Sequence, residues 1–212
     1  MTVETSLLRH SPLESYAERF AATPLDVSEE PYATQLLLRL DPTTPAALAV
    51  EDILGVALPV ANRAAAPTGP LTVVWLGPDE WLVTLPESSL LPEPARPLPE
   101  LVEGLAKIVH PVGGAVVEVS GQRTTVRLRG PLAREVLAKG CSVDLHPRVV
   151  RPGLAVQTMV AHAAVVLIVL DPGCTGDGRT AELDCRLLVR STFAAYLADW
   201  LLDAALEYSP SF

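Results

Sequence analysis

The 212-residue chain carries a formal net charge of −9, with 49% hydrophobic and 19% charged residues. It lacks the cationic footprint that nucleic acid or an anionic membrane surface requires, and its longest apolar run, residues 163–170, is far too short to span a bilayer. A chain of this length buries about 70% of the surface it exposes when unfolded, so it can fold without disulfides or a structural metal. Three cysteines, Cys141, Cys174 and Cys185, show no regular spacing. The first twenty residues lack a basic start followed by an apolar core, so no signal peptide and a reducing cytoplasm are expected. The low charge content fits either a surface covered by a partner or a chain rich in Ala, Val and Leu from a GC-rich genome.

Residues 1–33 carry no sustained periodicity. Ser11-Pro12-Leu13 and Thr23-Pro24-Leu25 read as extended, and the whole segment as an N-terminal arm ordered only where it lies on something. Residues 34–40 read as a strand. Asp41 and Pro45 then open a helix with Leu48, Ile53, Leu54 and Leu58 on its apolar face, and Pro59 ends it. Two strands, 71–76 and 81–85, flank Gly77-Pro78-Asp79-Glu80, a tight turn. Residues 86–99 hold five prolines and read as a surface loop. A helix over 98–109 and a strand over 115–119 follow.

Residues 123–129 alternate cleanly, with Val126 and Leu128 on one face and Arg123, Arg127 and Arg129 on the other. Gly130-Pro131 opens a short helix through Lys139. Residues 156–160 and 164–170 read as paired strands, 171–184 as a polar loop and 187–190 as a strand. Ser191 is placed as the cap of a helix over 193–208 whose apolar stripe is Phe193, Tyr196, Leu197, Trp200, Leu201 and Ala204. Strand–helix–strand–strand–helix occurs twice. The expected class is therefore α+β with an internal pseudo-repeat, one half at 34–119 and the other at 120–208. The hairpin loops are too short for parallel crossovers.

The motif search leaves no catalytic, cofactor-binding or metal-binding residue on this chain. There is no dinucleotide fingerprint, phosphate loop or nucleophile elbow. The Gly-rich segment 173–178 reads as a hairpin loop. Asp171, Gly176 and Glu182 fall at places an EF-hand would use, but Gly173 and Thr175 occupy ligand positions and the flanks read as strands. His10, His110, His146 and His162 form no zinc-type spacing, and a buried or satisfied structural role is expected for each. Lys139-Gly140-Cys141 places a thiol beside a cation, which would lower its pKa; the plainer reading is a glycine terminator before a small buried hydrophobe.

Residues 121–151 hold seven basic and two acidic side chains, a charge of +5 against −14 for the remainder. Within them, the Arg123, Arg127 and Arg129 row is the best site candidate. It can read carboxylates bidentately, on an anionic ligand such as a folate tail or on an acidic patch of a partner, or it is a solvated strand face. Leu13 in the arm and Leu90 and Leu91 in the Pro-rich loop complete the candidate partner interface. Deleting residues 1–30 is expected to leave the domain folded and to impair assembly.

Several segments in order carry a resemblance: residues 76–82 (LGPDEWL), 119–124 (VSGQRT), 129–141, 142–147 (SVDLHP) and 189–197 (VRSTFAAYL). Over about residues 6–208 the chain resembles the gamma subunits of heterotetrameric sarcosine oxidases. That resemblance implies a fold like that of folate-binding aminomethyltransferases, in which two α+β halves exchange their first strands. It implies alpha, beta and delta partner subunits that hold FAD, FMN, NAD, zinc and tetrahydrofolate, with no cofactor on the gamma chain itself. The complex it implies converts sarcosine to glycine, reduces oxygen to hydrogen peroxide and passes the one-carbon unit to tetrahydrofolate; the gamma chain is structural. Two alternatives are a stand-alone folate-dependent one-carbon transferase and a folate-binding accessory protein of iron–sulfur assembly. The latter's motif is similar to Lys139-Gly140-Cys141 but continues Gly-Gln-Glu, where this chain reads Ser142-Val143-Asp144-Leu145.

Overall fold

A computed structural model describes residues 9–66, 71–85, 98–170 and 182–209. Among these residues, ten strands form two five-stranded sheets, antiparallel throughout. The first sheet has the order β1 (Asp26–Glu30), β7 (Arg123–Gly130), β10 (Leu183–Arg190), β9 (Ala163–Val169), β8 (Ala155–Val160). The second has the order β3 (Ala64–Ala65), β4 (Thr72–Gly77), β5 (Glu80–Leu85), β2 (Thr34–Arg39), β6 (Ala115–Glu118). Strand β1 thus precedes the second sheet's strands in the chain yet pairs with β7, at the edge of the first.

Alternation sorts the buried apolar strand residues into three cores. On the outer face of the first sheet, Val126, Leu128, Leu167, Cys185 and Leu187 pack on helices α1 (Ala17–Ala22), α4 (Pro131–Ala138) and α5 (Ala194–Ala205). On the outer face of the second, Leu36, Leu38, Val73 and Val83 pack on α2 (Pro45–Leu54) and α3 (Leu98–Val109). Between the sheets, Val74 and Leu82 meet Ala155, Val166, Ile168 and Leu188. The layers run helices, sheet, sheet, helices.

Sheet coverage is incomplete. Val74, Leu82, Leu37 and Val117 are successive cross-strand neighbours on the inner face of the second sheet. The first two are fully buried and Leu37 half-buried, whereas Val117 is 51% exposed. The first sheet therefore covers β4 and β5 and leaves β6 open.

Residues 9–33 of the expected N-terminal arm are built into the fold. Strand β1 pairs with β7 over Asp26↔Arg129 to Glu30↔Thr125. Leu13, Phe20, Leu25 and Val27 all lie in the outer core of the first sheet. The inward-facing residues of β1 are Asp26, Ser28 and Glu30, so no apolar alternation betrays the strand.

Three other expectations shift. Helix α2 ends at Leu54, before Pro59, because Gly55 takes a left-handed φ of 69° and its N–H bonds to Glu51 O at 2.8 Å. Its buried face is Ala46, Ala47, Val50 and Leu54, while Leu48 is exposed. Strand β10 starts at Leu183, four residues ahead of the expected Leu187. Ser191 does not cap α5; its hydroxyl donates to Gly121 O at 3.0 Å, and the helix buries Ala194, Leu197, Ala198, Leu201 and Ala205. Alanines at these positions bring α5 close to the sheet, and Phe193 and Tyr196 are left outside.

Candidate partner interface

The arginine row divides. Because Val126 and Leu128 fill the outer core, Arg123, Arg127 and Arg129 project from the inner face of the first sheet. Arg127 forks onto Asp184, Nε to Oδ1 at 3.0 Å and Nη2 to Oδ2 at 2.8 Å, and its Nη1 reaches Glu30 Oε1 at 3.4 Å. Arg186, its cross-strand neighbour, donates from Nε to Glu30 Oε2 at 2.6 Å. Arg129 forks onto Asp26 at 2.9 and 3.3 Å. Three arginines are thus matched by three carboxylates, Asp26, Glu30 and Asp184. Asp184 is only 7% exposed, and its bidentate partner supplies the charge-assisted bonds that make burial tolerable. The Asp184 bonds hold the Arg127 guanidinium more firmly protonated than usual.

Arg123 is different. Its cross-strand neighbour is Arg190, and its side chain forms no ion pair among the described residues; Nη1 donates to Gln122 Oε1 at 2.5 Å. Burial first, and then the Arg190 charge, pull the Arg123 pKa down. Arg127 and Arg129 are therefore committed within the chain, and only Arg123 of the expected row remains for a partner.

Leu13 is corrected. At 1% exposure it packs in the core and offers no surface. Its surroundings are clamped, since Tyr16 Oη and Arg19 Nη1 both donate to Asp199 of α5, at 3.0 and 2.8 Å, and Ser11 Oγ donates to Glu29 at 2.5 Å. With Phe20, Leu25 and Val27 in the same core, this burial argues against the expectation that residues 1–30 are dispensable for folding. Leu90 and Leu91 lie outside the described residues, as do the Gly-rich segment and Cys174.

The thiol motif is structural. A Cβ on Gly140 would stand 2.5 Å from Trp200 Cζ2, so α4 and α5 approach through the missing side chain. Lys139 turns away to Glu207 and Ala204 O and lies 4.7 Å from the Tyr208 ring centroid. Cys141 is half-buried beside Val160, and Cys185 is fully buried, which pushes its thiol pKa far up. The four histidines are exposed and scattered; His146 Nδ1 accepts from Arg148 N at 3.1 Å and His10 pairs with Glu14 at 2.6 Å. Among the described residues no three His, Cys, Asp or Glu side chains gather as metal ligands, and no helix is long and apolar enough to cross a membrane.

A cleft of about 320 Å³ on the second sheet is lined by Pro42, Glu51, Pro59, Trp75, Pro78 and Trp81 among others. Trp81 Nε1 donates to Pro59 O at 2.9 Å and Glu51 accepts from Leu58 N at 2.7 Å, so these polar groups are occupied.

Sequence reasoning missed Asp26, Glu30, Asp184, Arg186 and Arg190. Asp184, Arg186, Leu188 and Arg190 alternate with Cys185, Leu187 and Val189, a period-two signal that marks the strand from Leu183 onward.

Residues 39–207 match the sarcosine oxidase, gamma subunit family. The chain belongs to this family. Among curated relatives, a sarcosine oxidase subunit gamma from Arthrobacter sp is 35% identical over 217 residues, covering 98% of this chain and 95% of that protein. One from Corynebacterium sp. (strain P-1) is 32% identical over 213 residues with the same coverage. Among solved structures, a chain of the heterotetrameric sarcosine oxidase from Corynebacterium sp. U-96, in complex with pyrrole 2-carboxylate, superposes with a TM-score of 0.81 at 31% identity. The match covers 97% of this chain and 99% of that one.

Proposed function

We propose that this chain is the gamma subunit of a heterotetrameric sarcosine oxidase and that it contributes shape and contact surface rather than reacting groups. The whole-length likeness to a chain of such an assembly carries the reading. Its partners are the alpha, beta and delta subunits, in the cytoplasm. The flavins, NAD, zinc and tetrahydrofolate reside on those subunits, where sarcosine is oxidised to glycine. Supporting this division, Asp184 is the only buried carboxylate among the described residues, and both its oxygens are held by Arg127. A stand-alone one-carbon transferase would need such a group free to meet its substrate.

The two sheets with their helices are read as pseudo-repeated halves of the folate-binding aminomethyltransferase type, with exchanged first strands. The placement of β1 in the first sheet and of β6 in the second supports that reading. Tagged full-length chain, co-expressed with the neighbouring reading frames, tests the function. Recovery of a flavin-bearing assembly that oxidises sarcosine is expected. A tagged chain that emerges alone, or that turns over substrate unaccompanied, contradicts the proposal.

A further inference from the structure

We propose that Arg123 and Arg190 together form a carboxylate receptor for an acidic segment of a partner subunit. The inference rests on the gamma-subunit reading above and adds the surface and chemistry of one contact.

Charge on the inner face of the first sheet is the starting point. Asp26, Glu30 and Asp184 neutralise Arg129, Arg186 and Arg127. Two arginines are left over, directly opposite each other across β7 and β10. Like charges in that position destabilise a sheet, and a guanidinium cannot shed its proton to escape. Neither side chain forms an ion pair among the described residues, and the Glu80 charge only partly offsets the burial and the Arg190 charge that act on Arg123.

The backbone beneath the pair is clamped. Ser191 Oγ, one residue past Arg190, donates to Gly121 O at 3.0 Å, two residues before Arg123. Gln35 Nε2 donates to Arg123 O at 3.0 Å, and the Gln122 carboxamide orients the Arg123 guanidinium. Two forks carried at directly opposite positions of β7 and β10 suit a carboxylate, which each can bind bidentately.

The pair also lies where the second sheet stops. One register step inward, Thr125, Leu188 and Val166 are buried. In the row of Arg123 and Arg190 itself, Ala164 is exposed and its cross-strand partner Met159 is 43% exposed. A polar end and an apolar end on one partly uncovered strand row fit a protein surface better than a small anion. The occupant is therefore an Asp or Glu side chain of a partner subunit, flanked by apolar residues that rest on Met159.

Arg190→Glu, Arg190→Lys and, as a control on the exposed face of α3, Lys107→Glu are to be compared with wild type in reconstituted complex and as the free full-length chain. Arg190→Glu should weaken assembly by about tenfold or more, with Arg190→Lys in between and Lys107→Glu at wild type. In the free chain Arg190→Glu places a carboxylate opposite Arg123, so its melting temperature should hold or rise. Assembly unaffected by Arg190→Glu, or equally affected by Lys107→Glu, sinks the inference. A marked fall in the free chain's melting temperature does the same, because it assigns Arg190 a structural role. Tetrahydrofolate binding by the free chain, lost in Arg190→Glu, would reassign the pair to a small molecule. Failure of the wild-type chain to assemble removes the gamma-subunit reading and this inference with it; wild-type assembly with an unimpaired variant removes this inference alone.

Discussion

The two ends of strand β7 present the same residue type to opposite fates. At the Arg127 and Arg129 end, every guanidinium meets a carboxylate supplied by β1 or β10. At the Arg123 end the neighbour is Arg190, and among the described residues neither forms an ion pair with a carboxylate. An arginine row is thus not a site because it is a row. What decides is whether the fold brings its own anions to it, and here one strand does both.

The largest test removes the supply of anions. Deleting residues 1–30 takes away Asp26 and Glu30 together with the buried Leu13, Phe20, Leu25 and Val27. At about 1.5–3 kcal/mol each, those four side chains stabilise the fold by about 6–12 kcal/mol, comparable to the whole stability of a domain. The truncated chain should show no cooperative thermal transition by circular dichroism. A sharp transition near the wild-type temperature would contradict this.

Next comes Arg127→Ala, which leaves Asp184 buried without its partner. Loss of about 3 kcal/mol in urea unfolding is expected, with part of it recovered in Arg127→Ala/Asp184→Ala. A double variant as unstable as the sum of the singles would show that the two do not act as a pair.

A thiol probes the packed outer face behind the neutralised end. Burial raises the Cys185 pKa, so above the ordinary thiol value of about 8.5 the unfolded chain ionises there and the folded chain does not. Its contribution is therefore full below that pH and declines as pH rises. At pH 8, iodoacetamide followed by peptide mapping should modify the half-buried Cys141 in the native chain and Cys185 only after denaturation. Native labelling of Cys185 would mean that this core opens.

The smallest effect belongs to the open end. Arg190→Gln should stabilise the free chain by a few tenths of a kcal/mol, by relieving the cross-strand repulsion. A clear destabilisation would mean that Arg190 already has a favourable contact.

Legibility followed apolar content. Strands β2, β4, β5 and β9 are readable because their Leu- and Val-rich runs fill cores on at least one face. Strand β1 was hidden because its inward side chains are Asp26, Ser28 and Glu30, and only Val27 marks its outer face. The start of β10 reads as loop for the same reason, since Asp184 and Arg186 face charged partners that lie far off in sequence. The register of α5 was misjudged because Phe193 and Tyr196 outweigh alanine in any apolar stripe, while close packing on the sheet selects Ala194, Ala198 and Ala205. The arginine row itself was visible. Its division into paired and unpaired members was not, because pairing depends on β1 and β10 flanking β7.

Hydroxyl-radical footprinting of the free chain against the assembled complex tests the contrast between the two ends most directly. Met159, in the row of Arg123 and Arg190, should oxidise readily in the free chain and become protected on assembly, while Tyr16, already bonded to Asp199, should change little. Equal oxidation of Met159 in both states, with Tyr16 newly protected, would place the partner on the other side of the sheet.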